Sequence, residues 1–148
     1  MPRPQHPLAL AVRLAPAVYL AACAGCVSPS QPPAAPTGGA RIELSESAYL
    51  AEVAPVIARH GCDADGDCHG GGPRGTLELS PPTAKNAHYD YTQLVLQVDP
   101  VQRDSSALLL RPLADAAGGR PHPMKAFAST TDSDFVAVRA WIRAGVVH

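Results

Sequence analysis

Ser45-Glu-Ser-Ala-Tyr-Leu-Ala-Glu-Val-Ala-Pro-Val-Ile-Ala-Arg-His60-Gly-Cys62-Asp-Ala-Asp-Gly-Asp-Cys68-His69 runs from one patterned segment straight into a cluster of reactive side chains. In the patterned segment Tyr49, Val53, Val56 and Ile57 recur on one face at helical spacing, and Ser45 or Ser47 is placed to cap the N-terminus. This predicts a helix over residues 45–60, kinked or split at Pro55 and stopped by Gly61. Directly after that helix, His60, Cys62, Cys68 and His69 fall within ten residues.

Downstream the pattern is patchier. Residues 70–88 read as a Gly/Pro/Ser-rich loop, and 91–98 suit a helix or a strand equally well. Residues 104–111 predict a short capped helix ending before Pro112. Residues 132–144 predict a last helix with the stripe Phe135, Val138, Trp141 and Ile142, closed by Gly145. The first and last helices carry the two best apolar faces, so they are expected to pack on each other. The expected fold is mostly α, one small domain with long loops.

Upstream, residues 1–22 contain Arg3 and Arg13, no acid, and an apolar run ending Leu20-Ala21-Ala22-Cys23. That layout predicts an export signal, too short and Pro-broken to span a membrane. The last four residues resemble the lipobox of bacterial lipoproteins, which implies cleavage before Cys23, lipidation of its sulfur and a cell-envelope location facing the periplasm. Residues 23–41, rich in Pro, Ala and Gly, then form a tether, and residues 42–148 the folded domain.

Composition narrows the function. With 12 Lys+Arg against 13 Asp+Glu the formal charge is −1, which removes the electrostatic case for a nucleic-acid binder. No Ser/His/Asp or paired-carboxylate arrangement with persuasive spacing is present, which points away from a catalyst and towards a carrier or binding module. The cysteine cluster admits several chemistries. A calcium loop over Asp63-x-Asp65-Gly66-Asp67 has its glycine misplaced and Arg74 where a bidentate acid belongs. His60, Cys62, Cys68 and His69 are plausible zinc ligands by type. A Cys62–Cys68 disulfide suits an exported protein.

Cys62…Cys68-His69 after a short helix, followed by glycines, also resembles the haem-attachment segment of class I cytochrome c domains. The resemblance extends over most of residues 46–146. Asp104-Ser-x-x-Leu-Leu, Arg111-Pro112-Leu113 and Gly118-Gly119-x-x-His122 are similar to small cytochrome c-like domains of bacterial lipoproteins. Met124-Lys-Ala-Phe127 resembles that family's distal Met-Pro-Ala-Phe loop. It implies a cytochrome c-like fold around one haem c, with Cys62 and Cys68 in thioether links and His69 as proximal iron ligand. Met124 is the preferred sixth ligand and His122 its alternative. The implied function is electron transfer by a membrane-tethered monohaem cytochrome that meets a redox partner protein. The alternative is a haem-free envelope lipoprotein with a Cys62–Cys68 disulfide, acting as a binding or structural module.

One spacing departs from the family: five residues separate the cysteines instead of two. Three extra residues must bulge outward for both sulfurs to reach one porphyrin, and Gly66 makes such a bulge conformationally cheap. Leu77, Leu79, Leu94, Leu108, Leu109 and Phe127 are candidates to pack around the ring. His60, His88 and His148 read as exposed polar residues.

Overall fold

The computed structural model describes residues 39–64, 68–72 and 75–148. The export signal, Cys23, nearly all of the tether, and Asp65, Gly66, Asp67 and Arg74 lie outside the described residues. The rest is mostly helical with one two-stranded sheet. In chain order it contains β1 (Ile42–Glu43), α1 (Glu46–Ala48), a π-helical turn (Tyr49–Val53), α2 (Ala54–Arg59), α3 (Ala87–Val95), α4 (Ala107–Leu110), α5 (Ser133–Arg143) and β2 (Val146–Val147). Short 3-10 turns punctuate the connections. No helix among the described residues is long and apolar enough to cross a membrane.

The segment from α1 to α2 shows how the chain absorbs Pro55. Ser45 caps it, its Oγ accepting from the Ala48 amide at 3.1 Å. Proline lacks the N–H that would continue the α ladder, and its ring crowds the preceding turn. Here the turn before it is widened: the Ala54 amide donates to Tyr49 O, five residues back, and Pro55 falls in the first turn of α2. The predicted split is therefore a local change of winding. The apolar face survives it, since Tyr49, Val53, Val56 and Ile57 are all buried. Gly61 ends the run at φ +62°, a left-handed conformation that favours glycine.

α5 packs on this segment as its stripe predicts, with Phe135, Val138, Trp141 and Ile142 buried. The few aromatics are concentrated at the crossing. Tyr49 stands 5.8 Å from Tyr91 and 6.0 Å from Trp141, ring centre to ring centre, at tilted angles that suit π quadrupoles. Their polar tips are satisfied, Trp141 Nε1 donating to Ser45 O (2.9 Å) and the Tyr91 hydroxyl to Leu44 O (2.6 Å). The ambiguous segment 91–98 is resolved by Asn86, whose side chain caps α3 by accepting from the Tyr89 amide. The small sheet has no counterpart in the sequence pattern. Ile42 pairs with Val147 and Glu43 with Val146, antiparallel, so the domain's first and last residues close on each other.

Candidate functional site

The helix ends and two loops enclose an apolar cavity of about 240 Å³. That is far larger than the roughly 30 Å³ one water occupies, so it is a cleft and not a packing gap. Val56, Ile57 and Val138 line it from α2 and α5, Leu77 and Leu108 from the loop and helix beside them, and Phe127 from the distal segment. Of the leucines expected around a ring, Leu79, Leu94 and Leu109 are buried in the core instead and do not line the cavity. Cys62, Cys68, His69, His122 and Met124 all do. The structure thus gathers at one place the five side chains expected to attach the haem or bind its iron.

The cysteine loop solves its own spacing problem. In a helical Cys-x-x-Cys-His turn, the histidine amide bonds to the first cysteine's carbonyl, four residues back. Here the His69 amide donates to Cys62 O at 3.0 Å, across seven residues. The same donor and acceptor meet although five residues, not two, separate the cysteines. Gly70 packs close beside them: its amide donates to Ala64 O, and a Cβ at this position would lie 1.8 Å from Asp63 O. Only glycine fits that approach. Cys62 and Cys68 are both free thiols. Burial, and then Asp63 and Cys68, push the Cys62 thiol up to about 11.

His69 Nδ1 donates to Leu77 O at 3.0 Å. A carbonyl can only accept, so this bond places a proton on Nδ1 and fixes the orientation of the ring. Across the cavity, the rings of His69 and His122 have centres 6.1 Å apart and planes 23° apart. At that angle the two rings form a stacked pair. His122 Nδ1 lies 2.6 Å from Met124 O and 3.3 Å from the Met124 amide. One nitrogen cannot both donate and accept, and the shorter contact makes it the donor, leaving the lone pair on Nε2. Met124 borders the same cavity with 45 % of its surface exposed.

The distal loop is folded by local bonds. Ala114 and Phe127 pair along the backbone, and the Gly119 amide donates to Ala114 O. Lys125 Nζ sits inside, donating to Arg111 O and Arg120 O and pairing with Asp115 at 2.8 Å.

The geometry corrects several expectations. His60 is not an exposed polar residue: its ring meets Phe127 edge-on at 5.8 Å and its Nε2 lies 2.8 Å from Asp134 Oδ2. Arg59 reaches the same carboxylate at 2.7 Å, and its hydrogen bond, with a further one from His60, holds Asp134 below the usual carboxylate range. His88 and His148 are exposed as expected, beside Glu46 and Glu43. With His60 turned to Asp134, the zinc arrangement of His60, Cys62, Cys68 and His69 is not assembled. Among the described residues no three His, Cys, Asp or Glu side chains converge as a metal cage. The Asp63 carboxylate considered for calcium is engaged by Lys85 at 2.7 Å. Sequence reasoning missed Thr76, Gln97 and Arg111 in the cavity wall, of which Thr76 and Gln97 bond each other reciprocally. No periodicity marks them, because each lies in or beside a loop.

No protein-family profile, curated protein or solved structure matches the chain.

Proposed function

We propose that this chain is a monohaem c-type cytochrome with a cytochrome c-like fold, exported, lipid-anchored at Cys23 and serving electron transfer to a partner protein. The observation that carries the reading is the His69 amide to Cys62 O bond, which restores the contact of a helical attachment turn despite five intervening residues. Haem, when bound, supplies a reversible one-electron couple at its iron. The chain's residues fit that group. Cys62 and Cys68 hold its edge, and His69, oriented by Leu77 O, is the proximal ligand. His122, whose ring lies beside that of His69, would supply the further iron ligand, with Met124 as the alternative. Val56, Ile57, Leu108 and Phe127 exclude water from its faces. Among the described residues, Arg111 is the one lining side chain with a permanent charge and suits an anionic substituent.

The test is periplasmic expression followed by mass measurement and a pyridine haemochrome spectrum. The expected product gains one haem mass, shows a c-type band and leaves neither Cys62 nor Cys68 open to alkylation after denaturation. It sediments with membranes, and Cys23→Ser releases it. A product that lacks the band and has lost two hydrogens is the disulfide-bearing module and overturns the reading.

A further inference from the structure

The cytochrome reading leaves unexplained a buried cluster beside the cysteine loop. Asp63, next to Cys62, is 4 % exposed, and Asp90 on α3 is fully buried. Between them lies one cation, Lys85 Nζ, 2.7 Å from Asp63 Oδ2 and 2.8 Å from Asp90 Oδ2. Asp90 also accepts from the Ser80 amide (2.6 Å) and hydroxyl (2.9 Å), and Lys85 donates to Ser80 O. The adjacent Leu79 amide donates to His69 O at 2.8 Å. The contacts close a ring: Cys62–Asp63 to Lys85, Lys85 to Ser80–Leu79, Leu79 to His69, and His69 back to Cys62.

Burying two carboxylates beside a lysine that is itself 36 % exposed has a desolvation cost that apolar side chains of the same size would avoid. What the ring does that apolar packing cannot is fix direction. A Cys-x-x-Cys turn holds its first cysteine by helix geometry alone. Here five residues separate the cysteines, so helix geometry alone does not set Cys62 relative to Cys68, and contacts from outside the segment must do so.

We propose that Asp63, Lys85 and Asp90 are positioning residues that hold Cys62 in register for haem attachment across the five-residue spacing. Thioether formation at Cys62, and not at Cys68, depends on them. The step is a net addition: the Cys62 S–H adds across a haem vinyl C=C, sulfur bonds the inner carbon, and the hydrogen ends on the terminal carbon. No electron is gained or lost. The proposal rests on the cytochrome reading and refines it.

The decisive variant is Asp63→Ala in the full chain, because Lys85 keeps Asp90 as its partner and no buried carboxylate is stranded. After periplasmic expression the protein is denatured, alkylated and mapped by peptide mass. In the wild type both cysteines are blocked by haem. In Asp63→Ala, Cys62 is alkylated in more than half of the haem-bearing chains while Cys68 stays blocked, and the haemochrome band moves to longer wavelength because one vinyl remains. Lys85→Arg, which keeps the cation, restores the wild-type pattern. A merely structural ring would lower melting temperature and haem yield while leaving both cysteines blocked, and that result overturns the proposal. Wild-type protein without haem overturns the cytochrome reading itself and is distinguished by mass alone.

Discussion

On the His69 wall of the cavity the chain is pinched where Gly70 lies against Asp63. On the His122 wall it is pinched where Gly119 lies against Leu113. The two closures are geometrically alike: each glycine amide bonds the next carbonyl along, Ala64 O and Ala114 O, both at 3.0 Å. They differ in what secures them. The first is tied through Lys85 to two carboxylates with 5 % and 0 % exposure. The second is tied through Lys125 to backbone carbonyls and to Asp115, which is 77 % exposed. Two buried carboxylates sharing one ammonium have few good arrangements, whereas an exposed carboxylate re-forms its pair in many. On that ground the His69 wall is expected to be the stiffer of the two and the His122 wall the more adaptable.

The sharpest way to break this contrast is to place the same methyl group at both pinches. A Cβ at Gly70 would lie 1.8 Å from Asp63 O, and one at Gly119 1.9 Å from Leu113 O, so the initial clash is equal. What differs is the freedom to relax. Gly70→Ala must move a segment anchored in the core, and we expect a loss of about 4 kcal/mol or failure to fold. Gly119→Ala can displace a surface loop, at a cost of about 1–3 kcal/mol. Denaturant unfolding of both apo variants measures the difference. Equal losses would show that the ion cluster confers no additional rigidity.

Alkaline pH probes the same wall more gently. Burial, then Asp90, Asp63 and Glu46, raise the Tyr49 phenol from 10 to about 12. The Cys62 thiol rises from 9 to about 11. Burial pulls Lys85 down, but its hydrogen bonds to Asp63 and Asp90 outweigh that and raise it. A group whose folded pKa is raised contributes stability that is complete below its unfolded pKa and disappears as pH climbs through the folded one. All three therefore act in one direction. Stability of the apo protein should hold to pH 9 and fall between pH 9 and 12, with Tyr49 accounting for about 2 kcal/mol of the loss. Tyr49→Phe should flatten the portion above pH 10. A variant that loses stability as steeply as the wild type there would remove Tyr49 from the account.

These groups also show what a sequence discloses. The helical faces were legible because each is written locally: Tyr49, Val53, Val56 and Ile57 share a face whatever lies opposite, and so do Phe135, Val138, Trp141 and Ile142. The first cap was legible for the same reason, Ser45 bonding the amide three residues on. The cavity's chemical residues were legible as types, since Cys62, Cys68, His69, His122 and Met124 are scarce and clustered. Partnerships at long range were not. His60 meets Asp134 across 74 residues, and Lys85 meets Asp63 across 22, and neither pairing leaves a local pattern. The terminal strands are two residues each, below any length at which alternation is visible.

The smallest expected change in stability comes from the distal pair, and it tests which side chain the adaptable wall presents. His122 bonds only its neighbour Met124, and Met124 is half exposed, so neither carries much of the fold. His122→Ala and Met124→Ala should each cost the apo protein about 1 kcal/mol or less. Their effects on the haem-loaded protein should diverge. The His122 ring already faces His69 at 6.1 Å, and its Nδ1–H, held by Met124 O, leaves Nε2 as the donor. Met124 reaches the cavity but would have to withdraw from solvent to offer its sulfur. His122→Ala should therefore change the spectrum, and added imidazole should restore it. The wild type should lack a near-infrared sulfur–iron band, and Met124→Ala should leave spectrum and potential in place. A thioether ligand would raise the potential relative to imidazole. If the wild type shows the sulfur band and Met124→Ala abolishes it while His122→Ala does not, the distal wall closes over the metal in a second arrangement, with Met124 turned inward. That outcome would assign the sixth position to Met124 and would make the distal wall more adaptable than its bonds in this arrangement indicate.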